Sequence, residues 1–227
     1  VQTCALPIFP HTLMTPRALD ATPDPGEHLR VVMSAGEACP PSLVDTWAPG
    51  RTMTNVYGPT EATIWSTTAL LAAGDPVTVG SPTLGVEVSL RDARLHAVPH
   101  GVVGELYVAG DHLARGYLGR PGLTASRFVA APDGQRTYRT GDLMRRNAAG
   151  DLLYLGRSDH QITLRGLRIE LGDVETALAG AAGVAAAAAG VIDERLVGYV
   201  VAADGDSVDT AAGSAAAAAM LPRYLVP

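Results

Sequence analysis

Residues 156–175 read GRSDHQITLRGLRIELGDVE, and the changes of period along them decide the fold. Gln161-Ile162-Thr163-Leu164 alternates, which places Ile162 and Leu164 on one face of a strand. Arg165-Gly166 supplies a tight turn, and Leu167-Arg168-Ile169 returns as a second short strand. From Leu171 the period becomes helical, with Leu171, Val174 and Leu178 on one side. Gly156-Arg157-Ser158-Asp159 lies between two patterned regions of different composition, where a hinge would sit.

Beyond that stretch, a helix over Leu171–Ala182 should be followed by strands at Val184–Ile192 and Leu196–Ala202 and a helix over Val208–Met220. Asp204–Ser207 is a loop that lacks the spaced ligand set of a calcium site. Toward the N-terminus, Leu29–Ser34 reads as a buried parallel strand. Pro40-Pro41 then starts a helix with Leu43, Val44 and Trp47 on its apolar face, and Thr52–Val56 is another strand. Strand, helix, strand is the pattern of an α/β layer edge. From about Val77 to Leu155 turns are frequent, and strands are expected at Val86–Leu90, Glu105–Val108 and Leu152–Leu155 in a distorted β-barrel or sheet. Only Thr124–Val129 looks helical there, with Thr124 as N-cap. The fold class is therefore α/β and α+β.

Composition narrows the function. Seventeen basic residues stand against 23 acidic ones, a net charge of −6, and all the basic residues are arginine. No basic run exists, so no nucleic-acid partner is expected. Cys4 and Cys39 form no metal or disulfide framework, and the six histidines have no pair at metal-binding spacing. The stretch Ala177–Ile192 is too weakly apolar to span a bilayer, and nothing resembles a signal peptide. A cytoplasmic protein with no membrane partner is expected. Val1–Ile8, VQTCALPI, can be encoded by a string that matches the end of a widely used sequencing adapter. It is set aside as an expected scar, and Cys4 with it.

Three further strings have the residue types of a nucleotide site. Asn55–Glu61, NVYGPTE, follows a strand, and Gly58-Pro59 fixes a turn that presents Thr60 and Glu61. A hydroxyl can donate to a phosphate oxygen, a carboxylate suits Mg²⁺, and Tyr57 offers a flat face to a base. Taken alone, the string reads first as a Gly-Pro turn with capping residues. In Tyr138–Leu143, YRTGDL, the Asp142 carboxylate could accept two adjacent ribose hydroxyls, or form an Asx turn. Gly104–Leu118, GELYVAGDHLARGYL, alternates and reads as sheet-building.

All four strings, in their order along the chain, resemble motifs of the adenylate-forming enzymes, most closely the amino-acid adenylation domains of non-ribosomal peptide synthetases. The resemblance runs from about Thr12 onward. It implies the C-terminal part of a large subdomain (residues 9–156, β-rich from about 77) and a small α+β C-terminal subdomain (157–227). It implies that Tyr57 stacks on adenine, Thr60 meets the phosphate and Glu61 coordinates magnesium, with Asn55 and Gly58 part of the same nucleotide motif. Asp142 would bind the ribose, Arg157 would be a second nucleotide contact, and Asp159 would be the hinge. Met33, Ala35, Val56, Ile64 and Trp65 fall on positions of the side-chain pocket. All five are apolar, so a neutral amino acid is expected. ATP and Mg²⁺ are the implied cofactors. A phosphopantetheine-bearing peptidyl carrier domain and a condensation domain are the implied partners.

Two features depart from the family. Thr163 stands where a lysine is usual, and the essential lysine is expected just beyond a segment like Leu221–Pro227. The upstream phosphate-binding loop is absent as well, so the chain alone is expected to be inactive. Its strand faces at Val31, Val32 and Val56 are expected to lie uncovered. An acyl-CoA synthetase or aryl-acid ligase of the same superfamily is the nearest rival reading. A non-catalytic remnant or docking module is another, and it predicts disrupted site motifs.

Overall fold

Parallel strands need crossover connections, and the first eighty residues supply two short ones. The computed structural model describes residues 10–24, 26–159, 161–164, 167–193, 195–203 and 209–227. Strands β1 (His11–Met14), β2 (Val31–Ala35) and β3 (Thr52–Tyr57) run parallel. Helix α1 (Pro16–Asp20) joins the first two and α2 (Pro41–Trp47) the second two. The Thr15 hydroxyl caps α1, accepting from the Ala18 amide at 3.2 Å. Both helices carry proline at their start, where the preset φ helps and the missing N–H costs nothing. Antiparallel β4 (Thr67–Leu71) and the short β5 (Ser81–Pro82) complete a sheet ordered β1-β2-β3-β4-β5.

Leu19 of α1 and Leu43, Val44 and Trp47 of α2 pack with Val32, Met53 and Leu71 of the sheet. Val32 is therefore fully buried and Val56 nearly so, which overturns the expectation that these strand faces lie uncovered; Val31 is half-buried. The sequence reading missed β1 and α1, which at four and five residues are too short to show a period.

The next segment forms β6 (Glu87–Arg91), β7 (Gly104–Ala109), α3 (Pro121–Arg127), β8 (Phe128–Ala130), β9 (Arg136–Arg146) and β10 (Leu152–Arg157). The sheet order is β10-β9-β7-β6, with β8 also paired to β9 and every pairing antiparallel. The expected distorted barrel is a curled half-barrel, filled by Leu90, Leu106, Val108, Met144 and Leu152. Helix α3 begins at Pro121, three residues before the expected cap. Thr124 is no N-cap: its amide donates to Arg120 O at 2.9 Å, inside the helix, and its hydroxyl accepts from the Tyr117 amide. Proline at the first helical position won over the hydroxyl further along. The helix ends at Arg127 because Phe128–Ala130 pair with β9.

In β9 the register slips. Glu105 faces Leu143 while Tyr107 faces Arg139, so Thr140, Gly141 and Asp142 bulge opposite Leu106. Gly141 takes φ +81°, which glycine tolerates.

The chain divides between Ser158 and Asp159 into two compact units. In the second, β11 (Gln161–Leu164) pairs antiparallel with β12 (Leu167–Glu170), as the alternation implied. Helix α4 (Leu171–Ala179), the hairpin of β13 (Val184–Ile192) and β14 (Arg195–Ala202), and α5 (Thr210–Met220) follow. Ile169, Val174, Ala177, Leu178, Ala217 and Leu225 form its core, with Ile162 and Leu164 packed on it. Asp209 caps α5 by accepting from the Ala211 amide at 2.9 Å. Helix α4 stops at Ala179 rather than Ala182: the Gly180 amide makes the last i→i−4 bond, to Thr176 O at 3.1 Å, the Ala181 amide then tightens to Leu178 O at 3.1 Å, and Gly183 turns the chain away at φ +79°. The expected Arg165-Gly166 turn and Asp204–Ser207 loop lie outside the described residues, as do Val1–Ile8. Among the described residues no helix is long and apolar enough to cross a membrane.

Candidate functional site

Three strands bring three polar side chains to one point in the first unit. Tyr57 ends β3, Asp142 sits in the β9 bulge, and Arg157 ends β10 opposite it. The Tyr57 hydroxyl donates to Asp142 Oδ2, and Arg157 Nη1 donates to Oδ1 at 2.6 Å. Arg157 Nη2 also donates to Thr140 O at 3.0 Å. The ion pair is nearly dry, its side chains 13% and 8% exposed. Burial first, and then the Asp142 charge, push the Tyr57 hydroxyl well above its ordinary range, so it stays a donor.

The bulge itself is held from two sides. The Thr140 hydroxyl donates to Leu106 O at 2.8 Å and accepts from the Asp142 amide at 3.0 Å. Glu105 accepts the Gly141 amide at 3.1 Å while Arg139 clamps the same carboxylate with two nitrogens. This network fixes a carboxylate in a bulge, where backbone is otherwise soft.

The NVYGPTE turn forms the neighbouring part of the site. A Cβ on Gly58 would come within 2.4 Å of Trp65 Cα, so only glycine fits there. Asn55 is buried, and its Nδ2 donates to Thr78 O at 2.8 Å, tying β3 to the segment before β5. Thr60 and Glu61 lie on a single 3-10 turn, Thr60–Ala62, with Thr60 exposed and Glu61 half-buried. The loop after β7 holds this turn at two points. The Ala114 amide donates to Glu61 O at 2.7 Å, and the Tyr117 hydroxyl donates to Glu61 Oε1 at 2.5 Å.

Glu61 fits a magnesium ion in its donor chemistry: a hard oxygen on a rigid turn. Among the described residues no three His, Cys, Asp or Glu side chains cluster, so these residues form no all-protein cage. A single carboxylate with substrate phosphates and water is the way Mg²⁺ is commonly held.

The proposed pocket residues divide into two groups. Ala35 and Val56 are register partners, and Met33 lies two residues back on the same face of β2. Ile64, exposed, and Trp65, half-buried, lie at the other edge of β3, where the Ser66 amide bonds Tyr57 O at 2.7 Å. Asp159 opens the second unit, and its Oδ1 accepts from the Gln161 amide at 3.3 Å.

The sequence reading missed Glu105 and Tyr117, which it absorbed into a sheet-building string. The available signal was a pair of polar residues at the two ends of that string, in Gly-Glu and Gly-Tyr pairs.

A parallel-stranded layer and a curled half-barrel, with polar side chains gathered at their strand ends and a separate α+β unit following in sequence, is the architecture of adenylate-forming ligases. The AMP-binding enzyme family model matches residues 3–118, just over half the chain, and the chain belongs to that family. It is 49% identical over 94% of its length to the isonitrile lipopeptide synthase of Mycobacterium tuberculosis, of which it spans 9%. Among solved structures it is similar to the Vibrio cholerae adenylation domain AlmE in complex with glycyl-adenosine-5'-phosphate. The TM-score is 0.83 at 25% identity, over 96% of this chain and 45% of that one. It is also similar to NpsA-ThdA, an artificially fused adenylation–PCP di-domain non-ribosomal peptide synthetase from Klebsiella oxytoca. There the TM-score is 0.74 at 26% identity, over 96% of this chain and 43% of the other.

Proposed function

We propose that the protein carrying this chain activates an amino acid with ATP and passes it to the phosphopantetheine thiol of a peptidyl carrier domain. The observation that carries the reading is the Tyr57–Asp142–Arg157 cluster, in which Tyr57 lies 85 positions and Arg157 15 positions from Asp142, itself set in a stabilised bulge. In the first step a substrate carboxylate oxygen bonds to the α-phosphorus as the bond to pyrophosphate breaks. In the second the thiol loses its proton, its sulfur bonds to the acyl carbon, and AMP leaves. Asp142 would accept the ribose hydroxyls, with Arg157 beside it. Tyr57 would face the base, within the motif shared by Asn55 and Gly58. Thr60 would donate to a phosphate oxygen, and Glu61 would hold Mg²⁺, which supplies charge neutralisation to the phosphates. The small unit from Asp159 onward would turn about that residue between the steps. A cytoplasmic location and a neighbouring condensation domain go with this reading. An acyl-CoA or aryl-acid ligase would use the same nucleotide site, so the acid decides between them.

The test is amino-acid-dependent exchange of pyrophosphate into ATP by the full-length protein. Exchange is expected with neutral amino acids, and preference for Asp, Lys or Arg would contradict the pocket assignment, since Met33, Ala35, Val56, Ile64 and Trp65 offer a charge no partner. Exchange with fatty or aryl acids alone would favour the rival ligases. Trp65→Ala should widen acceptance toward larger side chains, raising kcat/KM for a larger analogue by about tenfold relative to the preferred substrate, as a few methylenes' worth of space allows. An unchanged ranking would place the pocket elsewhere.

A further inference from the structure

We infer that Tyr117 is a positioning residue whose hydroxyl fixes the Glu61 carboxylate for metal–nucleotide binding; the inference rests on the function proposed above. Tyr117 and Glu61 are 56 positions apart, yet Tyr117 Oη lies 2.5 Å from Glu61 Oε1. The loop that carries Tyr117 also holds Glu61 by its backbone, through the Ala114 amide. A carboxylate pinned at both its main chain and one oxygen has little rotamer freedom left to lose on binding a cation.

Tyr117 is itself built in. Its amide donates to the Thr124 hydroxyl at 2.9 Å. Gly116 takes φ +143° and lies so close to Thr124 that a Cβ there would meet Thr124 Cγ2 at 2.5 Å. The Tyr117 ring meets Phe128 edge-on at 5.8 Å, and its hydroxyl lies 3.4 Å from that of the fully buried Tyr138. A phenol donating to a carboxylate makes a charge-assisted hydrogen bond, shorter and stronger than a neutral one.

The experiment is Mn²⁺ binding to the full-length protein with a non-hydrolysable ATP analogue, followed by electron paramagnetic resonance. Tyr117→Phe keeps the ring against Phe128 and removes only the donor. It should weaken Mn²⁺ affinity by roughly 10-fold or more, the usual effect of losing a ligand's hydrogen-bonding support. Glu61→Gln should also weaken it, and the double variant should bind no more weakly than Glu61→Gln alone, because Tyr117 acts only through Glu61. Wild-type or tighter affinity in Tyr117→Phe, or losses that add in the double variant, would overturn the inference. If Glu61→Gln itself binds Mn²⁺ normally, the metal role of Glu61 fails, and this inference with it. A thermal midpoint without ligand checks that the variants fold. Glu61→Asp withdraws the carboxylate from the phenol without altering Tyr117, and unchanged affinity there would likewise count against the inference.

Discussion

Asp142→Ala in the full-length protein is expected to lower the thermal midpoint by at least about 6 °C and to weaken ATP binding by about 100-fold or more. Two separate losses produce these effects. The first is structural. Arg157 Nη1 has Asp142 Oδ1 at 2.6 Å, and the pair is almost entirely out of solvent. Removing one partner of such a pair leaves a buried guanidinium without its counter-charge, which costs about 3–5 kcal/mol. For a body of this size that converts to roughly 2–4 °C per kcal/mol. The second loss is of function. A carboxylate accepting two ribose hydroxyls contributes about 1.5–3 kcal/mol per charged hydrogen bond. Asp142→Asn helps to separate the two, because it keeps an acceptor toward Arg157 and the shape of the bulge while removing the counter-charge. It should recover part of the stability lost in Asp142→Ala while still losing most of the affinity. Scanning calorimetry and nucleotide titration measure both. Unchanged stability together with ATP affinity within threefold of wild type would remove Asp142 from the site.

Asp159→Pro is expected to impair the two half-reactions very unequally, by a factor of about ten or more between them. The two units divide immediately before Asp159, and Gly156 three residues earlier takes φ +120° with open space where a Cβ would stand. A short segment of that kind can absorb large backbone changes while the flanking bodies stay rigid. Proline fixes φ near about −65°, removes an N–H, and restricts Ser158 as well, so it should trap one arrangement. Pyrophosphate exchange and carrier loading need to be measured side by side. Equal losses in both, or none in either, would show that the turn about Asp159 is not what separates the steps.

The parts of the fold that were legible in sequence have a clean period. β11 and β12, α2 with its leading prolines, β3, β13 and β14 all fall within a residue or two of their expected positions. Strand β9 did not, although it is eleven residues long. Thr140-Gly141-Asp142 breaks its alternation, and a Thr-Gly-Asp triplet in isolation reads as a turn. The physical fact behind the miss is that the sheet accommodates that turn as a bulge and resumes beyond it. The same limit hid Glu105 and Tyr117. Alternation reports which face a residue occupies, and a polar residue on the expected face looks like solvent exposure whether or not a carboxylate or an amide awaits it. Motifs point to Tyr57, Glu61, Asp142 and Arg157, but only the folded chain shows that Asp142 accepts from both Tyr57 and Arg157.

The β9 bulge also separates architecture from chemistry by parity. Two steps along β7, from Glu105 to Tyr107, are matched by four along β9, from Leu143 to Arg139, so the excess is two residues. An even excess leaves inside and outside unchanged: Tyr138 before it and Met144 after it are both fully buried, while Arg139 and Arg145 both face water. An odd excess is met otherwise, as where β10 takes two steps from Tyr154 to Gly156 against one of β9 and a bulged residue absorbs the difference. Loss of two residues that include Asp142 would leave inside and outside as they are and remove the carboxylate, so the interior of the half-barrel does not depend on the side chain that its bulge presents.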